Sequence, residues 1–194
     1  MPRESPYFIN AGLLCTGPLI SAVAEGYAAL IAQEADTSGL TFDVLFGPAY
    51  KGIPFAAATA LVLHDKHGID VGYAFDRKEA KDHGEGGRMV GAAVKGKRVL
   101  ILDDVMTAGT AVRQSIELIR KEGGTVVGVA MLLDREEVTV EGRSTVKDVE
   151  EILGGGNVRT ILRMRDLMTW LATNGKEDLL EKMKAYYDKY GVKD

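Results

Sequence analysis

The sequence has little of what several classes of protein require. Its 194 residues include one cysteine, five prolines and one tryptophan. Because a single cysteine cannot form an internal disulfide, a disulfide scaffold is excluded, and we expect Cys15 to serve only in packing. No uncharged run approaches the roughly 18 residues of a membrane-spanning helix, and residues 1–14 lack the apolar core of a signal peptide. We therefore expect a soluble, cytoplasmic protein.

Basic residues are not in excess either. The chain has 24 Lys and Arg against 28 Asp and Glu, a net charge of −4. Proteins that bind nucleic acid usually carry a basic stripe or a strongly basic domain. We expect neither nucleic acid nor a membrane as a partner, and any basic site must be local. The length and the 46% hydrophobic fraction fit one globular domain over residues 1–194.

The order of the apolar segments predicts an α/β fold. Helices are expected over 18–35, 54–64, 110–122 and 144–153, with two short helices between 166 and 190. Short apolar runs predict strands over 42–46, 71–75, 98–103, 125–133 and 158–162. Strands that alternate with helices form a central, mostly parallel sheet flanked by helices. Ligands of such sheets bind at the carboxyl ends of strands where the strand order reverses.

The first candidate site, residues 100–111 (LILDDVMTAGTA), follows a predicted buried strand. Asp103 and Asp104 offer carboxylates for sugar hydroxyls or for a magnesium-bound polyphosphate. Gly109 permits close backbone approach, and the start of a helix supplies N–H donors for a phosphate, beside the hydroxyls of Thr107 and Thr110. The pattern favours a phosphorylated sugar. The residues alone leave a structural interpretation open, in which the acids form a turn and Thr110 caps the helix.

Two further segments hold groups suited to anions. Residues 76–91 are polar and rich in glycine, and we expect a long structureless, mobile loop there. Its basic residues are Arg77, Lys78, Lys81 and His83. Such a loop can close over a polyphosphate and exclude water, although a solvated linker is equally compatible with the composition. In the other segment, Lys51 stands at the crest of a tight turn between Gly47 and Gly52, from which it can reach an anion.

These strings resemble a known family. VLILDDVMTAGTA (99–111) resembles the phosphoribosyl pyrophosphate (PRPP) signature of type I phosphoribosyltransferases, and RKEAKDHGEGG (77–87) looks like the catalytic loop of orotate phosphoribosyltransferases. FGPAYKG (46–52) is similar to the pyrophosphate loop of that family, SPYFIN (5–10) to its orotate-contacting segment, and LLDR (132–135) to the strand end with an orotate-binding arginine. The matches occur in order from Ser5 to Arg135.

The resemblance implies both a fold and a reaction. The type I phosphoribosyltransferase fold adds a small hood, built from N-terminal and C-terminal segments, to the central sheet. The reaction moves the 5-phosphoribosyl group from PRPP to orotate, giving orotidine 5′-monophosphate and pyrophosphate in de novo pyrimidine (UMP) biosynthesis. Magnesium would be held through PRPP, near Asp103 and Asp104, with no direct protein site. The active unit would be a homodimer in which the loop acts on the neighbouring subunit's site.

The family's functional residues can be carried over by position. Catalysis would fall to Lys81, His83, Asp103 and Asp104. PRPP and pyrophosphate would be bound by Tyr50, Lys51, Arg77, Lys78, Lys81, His83, Asp103, Asp104, Val105, Met106, Thr107, Ala108, Gly109, Thr110 and Ala111. Orotate would be bound by Phe8, Ile9, Thr107 and Arg135. Because isoleucine replaces an expected aromatic at position 9, no stacking is expected there.

The N-terminus departs from the family pattern. Family members usually carry a helix and a strand, with a contacting lysine, before the Ser-Pro-Tyr-Phe segment, whereas this chain opens at Met1-Pro2-Arg3-Glu4. We therefore expect the N-terminal part of the hood to be short or truncated.

Three rival functions stay open. The first is a transferase for another base. The second is a nonenzymatic PRPP sensor, which would need the 103–111 segment but not the basic loop. The third is a phosphoacceptor receiver domain, whose paired acids would lie nearer the start of the domain than Asp103 and Asp104 do.

Overall fold

Six α-helices and six strands account for most of the residues that the structure describes. The computed structural model describes residues 4–81, 87–106, 109–139, 142–155 and 157–193, with the backbone alone for Ala80 and Lys81. The helices are α1 (Gly17–Ser38), α2 (Gly52–His67), α3 (Thr110–Lys121), α4 (Thr145–Leu153), α5 (Met164–Thr173) and α6 (Glu177–Tyr190). The strands are β1 (Val44–Gly47), β2 (Gly72–Lys81), β3 (Gly87–Gly91), β4 (Arg98–Val105), β5 (Thr125–Asp134) and β6 (Val158–Arg163). In the described ranges no helix combines the length and apolarity needed to cross a bilayer.

The strands form one sheet with the order β3-β2-β1-β4-β5-β6. Neighbouring strands are parallel except for the antiparallel pair of β2 and β3. From β1 the chain moves outward to β2 and β3, and it then returns to the other side of β1 as β4. The order therefore reverses between β1 and β4, and a crevice is expected beyond their carboxyl ends.

Alternate residues of the central strands enter two separate cores. Val44 and Phe46 of β1 belong to a cluster with residues of α3 and α4, whereas Leu45 belongs to a cluster with α1 and α2. The period of two follows from the strand pleat, which points successive side chains to opposite faces. The prediction of a central, mostly parallel sheet covered by helices on both faces is confirmed.

The C-terminal helices form a third apolar cluster with the N-terminal segment. Met164 and Leu171 of α5 pack with Leu180 and Met183 of α6, and Tyr7 packs against this group. The Tyr7 ring also meets the Tyr186 ring edge-on, with centroids 6.4 Å apart. This small hood joins both ends of the chain, as the resemblance implies.

The expectation of a structureless segment over 76–91 is wrong for most of its length. Strand β2 continues to Lys81 and pairs with β3, so that Phe75 lies opposite Val90 and Asp76 opposite Met89. The alternating charges of residues 76–81 suit a strand with two solvated faces, and Met89 anchors the hairpin base on the core. Residues 82–86 lie outside the described residues.

Cys15 does not have the packing role expected for it. Its side chain is exposed, in the connection between the 3-10 turn Ala11–Leu13 and α1. Burial of a lone cysteine is a statistical tendency that this surface connection does not follow.

Candidate active site

The turn after β1 is held by backbone contact between two glycines. A side chain on Gly47 would overlap the carbonyl oxygen of Gly52, so the chain closes tightly only because both positions lack a Cβ. The Gly52 N–H donates to the Pro48 carbonyl at 3.0 Å, and the Ala49–Tyr50 peptide bond is cis. We call residues 48–52 the pyrophosphate turn, after the family loop that they resemble. It presents Tyr50 and Lys51, both exposed, at the carboxyl end of β1.

Lys51 and Asp104 join the two strand ends across the point where the order reverses. The Lys51 Nζ lies 3.0 Å from Asp104 Oδ2, between the turn after β1 and the end of β4. Two predicted ligand groups of opposite charge, 53 residues apart in sequence, are thus in contact. A diphosphate with its attached sugar would meet the cation and the carboxylate side by side.

The two acids also bind the backbone beside them. Asp103 Oδ1 accepts from the Asp104 amide at 3.0 Å, and Asp104 Oδ1 accepts from the Val105 amide at 2.8 Å. Both residues are half-buried and belong to β4, which runs two residues past its predicted end. The acids therefore bind local backbone within a strand, and not in the turn that the structural interpretation proposed, while Asp104 keeps its second oxygen on Lys51.

The charged form of the Asp103 side chain is disfavoured by its surroundings. Burial raises the pKa of the Asp103 carboxyl to about 6, and the negative charge of Asp104 acts in the same direction. Near neutral pH the carboxylate is ionised but poorly solvated, so it gains free energy from a hydroxyl donor or a nearby cation. Its backbone carbonyl accepts a hydrogen bond from the Tyr27 hydroxyl at 2.7 Å. The sequence showed Tyr27 only as part of the apolar stripe of α1.

Helix α3 begins beside the acids. Gly109 caps the helix with φ of 70°, a left-handed conformation, and Thr110 is its first residue. The interpretation of Thr110 as the cap is therefore wrong. The first turn of any helix leaves N–H groups without partners inside the helix, and these bind phosphate. Val105 is half-buried and Met106 buried just before this turn. Thr107 and Ala108 lie outside the described residues.

The basic hairpin formed by β2 and β3 reaches the pyrophosphate turn. The Lys78 ammonium lies 4.9 Å from the centre of the Tyr50 ring, a cation–π contact between two predicted PRPP-binding residues. Arg77 is half-buried, and its carbonyl accepts from Arg88 Nε at 3.3 Å. Of the other predicted loop residues, His83 and the Lys81 side chain lie outside what the structure describes.

The predicted orotate-binding segments meet at the end of β5. The Arg135 guanidinium lies 4.6 Å from the Tyr7 ring centre, and its Nη2 donates to Ser5 Oγ at 3.0 Å. Arg135 also donates through Nε to Glu137 Oε1 at 2.8 Å. Glu137 was not predicted, since nothing in its local sequence marks it as the partner of Arg135.

Of the other three predicted orotate contacts, Thr107 lies outside the described residues, and Phe8 and Ile9 lie in different surroundings. Phe8 is 81% exposed, whereas Ile9 is half-buried and lines an apolar cavity of about 390 Å³ with Leu132 and Leu167. Their contacts with orotate stay predictions.

Comparisons with known proteins agree with this geometry. A family model of the phosphoribosyl transferase domain matches residues 20–164. Orotate phosphoribosyltransferase from Acinetobacter baumannii is 48% identical over 190 residues, which cover 98% of this chain and 85% of the relative. Its counterpart from Vibrio parahaemolyticus is 48% identical over 191 residues, which cover 98% and 87%.

A solved structure supports the same family assignment. The crystal structure of orotate phosphoribosyltransferase from Francisella tularensis superposes with a TM-score of 0.81 at 39% identity, covering 97% of this chain and 88% of that one. The family match spans most of the chain, and the relatives match it almost from end to end. The chain therefore belongs to the phosphoribosyltransferase family and, within it, to the orotate phosphoribosyltransferases.

Proposed function

We propose that this protein transfers the 5-phosphoribosyl group of PRPP to orotate, giving orotidine 5′-monophosphate and pyrophosphate. The contact between Lys51 and Asp104 carries the proposal, because it brings together a cation suited to a diphosphate and a carboxylate suited to ribose hydroxyls. Membership of the orotate phosphoribosyltransferases supports orotate as the acceptor.

The reaction breaks one bond and forms another at the anomeric carbon. The bond from that carbon to the pyrophosphate oxygen breaks, and its electron pair stays on the pyrophosphate. A ring nitrogen of orotate supplies the pair for the new bond and loses its proton, which the released pyrophosphate can accept. Positive charge develops on the ribose and negative charge on the leaving group. Catalysis therefore depends on positioning and on fixed charges at both ends of the breaking bond.

Each part of the site has a task in this scheme. Asp103 and Asp104 hold the ribose hydroxyls and stabilise the cationic sugar. The backbone over 105–111 receives the 5′-phosphate at the start of α3. Residues of the turn and the hairpin neutralise the pyrophosphate: Tyr50, Lys51, Arg77, Lys78, Lys81 and His83. His83 can also donate a proton to the leaving group, since an ordinary histidine titrates near neutral pH.

The described residues fit magnesium that arrives with PRPP. The poorly solvated carboxylate of Asp103 and its neighbour Asp104 favour a nearby cation, so these two residues would face a metal that PRPP oxygens also bind. When bound, magnesium would neutralise part of the diphosphate charge.

Arg135 supplies a positive charge where orotate is expected to bind. Burial opposes the charge of the guanidinium, but Tyr7 and Glu137 outweigh it and raise the pKa of Arg135, so the group stays cationic and suits the orotate carboxylate. Thr107, Phe8 and Ile9 would complete the contacts with the base.

The active unit would be a homodimer whose hairpin tip acts on the partner subunit's site. This part of the proposal rests on the resemblance of residues 77–87 to the family's catalytic loop.

Loss of orotate, followed by its ultraviolet absorbance in the presence of PRPP and magnesium, tests the proposal. We expect magnesium-dependent consumption that falls at least about tenfold in Lys81→Ala and in Asp104→Asn, as removal of a charged group from a transition state implies. Adenine, hypoxanthine and uracil should not replace orotate. Consumption of one of these bases instead would assign a different transferase, and PRPP binding without any turnover would assign a sensor.

A further inference from the structure

Asp76 lies where the hairpin leaves the parallel sheet. The last pair of the ladder between β1 and β2 joins Gly47 to Phe75, and Asp76 then pairs with Met89 of β3. One residue further, β1 has already ended and the chain enters the pyrophosphate turn. Beyond this point the backbone of β2 no longer pairs with β1, and a side chain of β2 can contact the turn instead.

The Asp76 carboxylate makes this contact. The Ala49 N–H donates to Asp76 Oδ1 at 2.7 Å, the short distance typical of a hydrogen bond to a charged acceptor. Two backbone hydrogen bonds close the turn on itself: Gly52 donates to Pro48, and Ile53 to Tyr50. The bond to Asp76 differs because it ties the backbone of the turn to another element.

The hairpin touches the turn at a second point nearby. Two residues after Asp76, the Lys78 ammonium lies 4.9 Å from the centre of the Tyr50 ring. Residues 76 and 78 of one strand thus reach residues 49 and 50 of the turn. The cation of the turn, Lys51, follows directly and meets Asp104 at 3.0 Å. These contacts connect the hairpin, through the turn, to the Asp104 carboxylate of β4.

We infer that Asp76 is a positioning residue for the diphosphate. Its hydrogen bond holds the pyrophosphate turn in line with the hairpin, so that Lys51 of the turn and the basic residues of the hairpin face the same ligand. Asp76 itself carries the wrong charge to bind an anion, and its effect passes through the Ala49 amide. The inference rests on the proposed function, because it takes PRPP and pyrophosphate as the ligands of this turn.

Steady-state kinetics of Asp76→Ala and Asp76→Asn test this role. Loss of a hydrogen bond to a charged acceptor should raise the KM for PRPP by about tenfold in Asp76→Ala, while the KM for orotate changes less than about twofold. Asp76→Asn keeps an acceptor oxygen at the same place and should restore the KM for PRPP to near the wild-type value. Glu79→Ala, an exposed position on the same strand, is the matched control and should leave both constants unchanged.

Three results would overturn the inference. They are an unchanged KM for PRPP in Asp76→Ala, an equal rise of both KM values, and an Asp76→Asn variant as impaired as the alanine variant. If Asp76→Ala fails to fold, Asp76→Ser replaces it, because the shorter hydroxyl cannot span the distance to the Ala49 amide. Calorimetric titration with pyrophosphate separates this inference from the proposed function. Weaker binding in Asp76→Ala would support the role of Asp76 even if the wild-type protein did not consume orotate, and unchanged binding would reject it.

Discussion

At the scale of single residues, Asp103 shows how function opposes stability. A buried carboxylate beside a second carboxylate is unfavourable in the folded chain, yet it is what a ribose hydroxyl or a cation would bind. The pKa of Asp103 is about 6 in the folded chain, whereas the same carboxyl in the unfolded chain has a pKa near 4. The charged form of Asp103 therefore destabilises the fold wherever the pH lies above 6.

Asp103→Asn should stabilise the protein in a pH-dependent way. Above pH 6 the wild-type chain must hold a charge that the unfolded chain accommodates freely, so the variant should have a larger free energy of unfolding, by about 2 kcal/mol. As the pH falls from 6 towards 4, the folded carboxyl is protonated before the unfolded one, and this advantage should disappear. Urea unfolding at pH 8 and pH 4.5 measures it. An advantage of the same size at both values would contradict the account, and the variant should lose activity at either pH.

Thr59 lies away from the candidate active site, and a substitution there should change the stability of the protein. Its hydroxyl is buried on α2 and has no hydrogen-bond partner within the described residues. Thr59→Val replaces the hydroxyl with a methyl group of similar size, so the free energy of unfolding should rise by about 1 kcal/mol. Thermal unfolding measures the change, and orotate turnover should stay at the wild-type level. A lower melting temperature would show that the hydroxyl has a role in the fold.

At the scale of elements, the pyrophosphate turn depends on the contact of two backbones. A methyl group on Gly47 would overlap the Gly52 carbonyl, and it would also lie 3.0 Å from the Ala56 Cβ. Neither neighbour can move aside as the end of a long side chain could. The turn and the first residues of α2 are therefore one rigid unit.

Gly47→Ala should damage both fold and activity. We expect the free energy of unfolding to fall by about 3 kcal/mol, the range of severe overpacking at a strained site. Gly17→Ala is the control, because an added Cβ there meets nothing within 4 Å. Chemical denaturation of both variants gives the comparison. Equal stabilities of the two variants would show that the turn can relax.

Sequence patterns predicted the strands and helices that are marked by apolar runs or helical spacing within their own residues. The apolar runs located β1, β4, β5 and β6, and helical spacing located α1 and α3 to within a few residues. Strand β3 was missed because the five residues 87–91 include two glycines and an arginine, and only their pairing with β2 makes them a strand. The strand end before Asp104 and the tight turn around Lys51 singled out both residues, and the family resemblance added their roles. Tyr27 and Asp76 were not found, since each acts through a residue distant in sequence. Glu137 was not found because no motif marks it as the partner of Arg135.

At the scale of the whole molecule, the site is assembled from every part of the chain. The sheet supplies Asp104, the turn supplies Lys51, and the hood holds Arg135 against Tyr7. The hood is also fastened to β5 by ion pairs, as Arg165 of α5 lies 2.7 Å from buried Glu136. Orotate and PRPP would meet between the hood and the switch point of the sheet.

Mixing two inactive variants tests whether the hairpin acts across a dimer. Lys81→Ala lacks the loop lysine and Asp104→Asn lacks the ribose carboxylate. If the loop serves the partner subunit's site, each mixed dimer regains one intact site. Random re-pairing makes half of the dimers mixed, so about a quarter of the wild-type activity should return. Each variant alone should stay inactive, and no recovery on mixing would place the loop in its own subunit's site.

The most direct test of the central claim is the stoichiometry of the products. Wild-type protein, orotate, PRPP and magnesium are incubated together, and the mixture is resolved by chromatography with mass detection. The account predicts one orotidine 5′-monophosphate and one pyrophosphate for each orotate consumed, with both products lost together in Asp104→Asn. Pyrophosphate released without the nucleotide, or no change in orotate under these conditions, would contradict it.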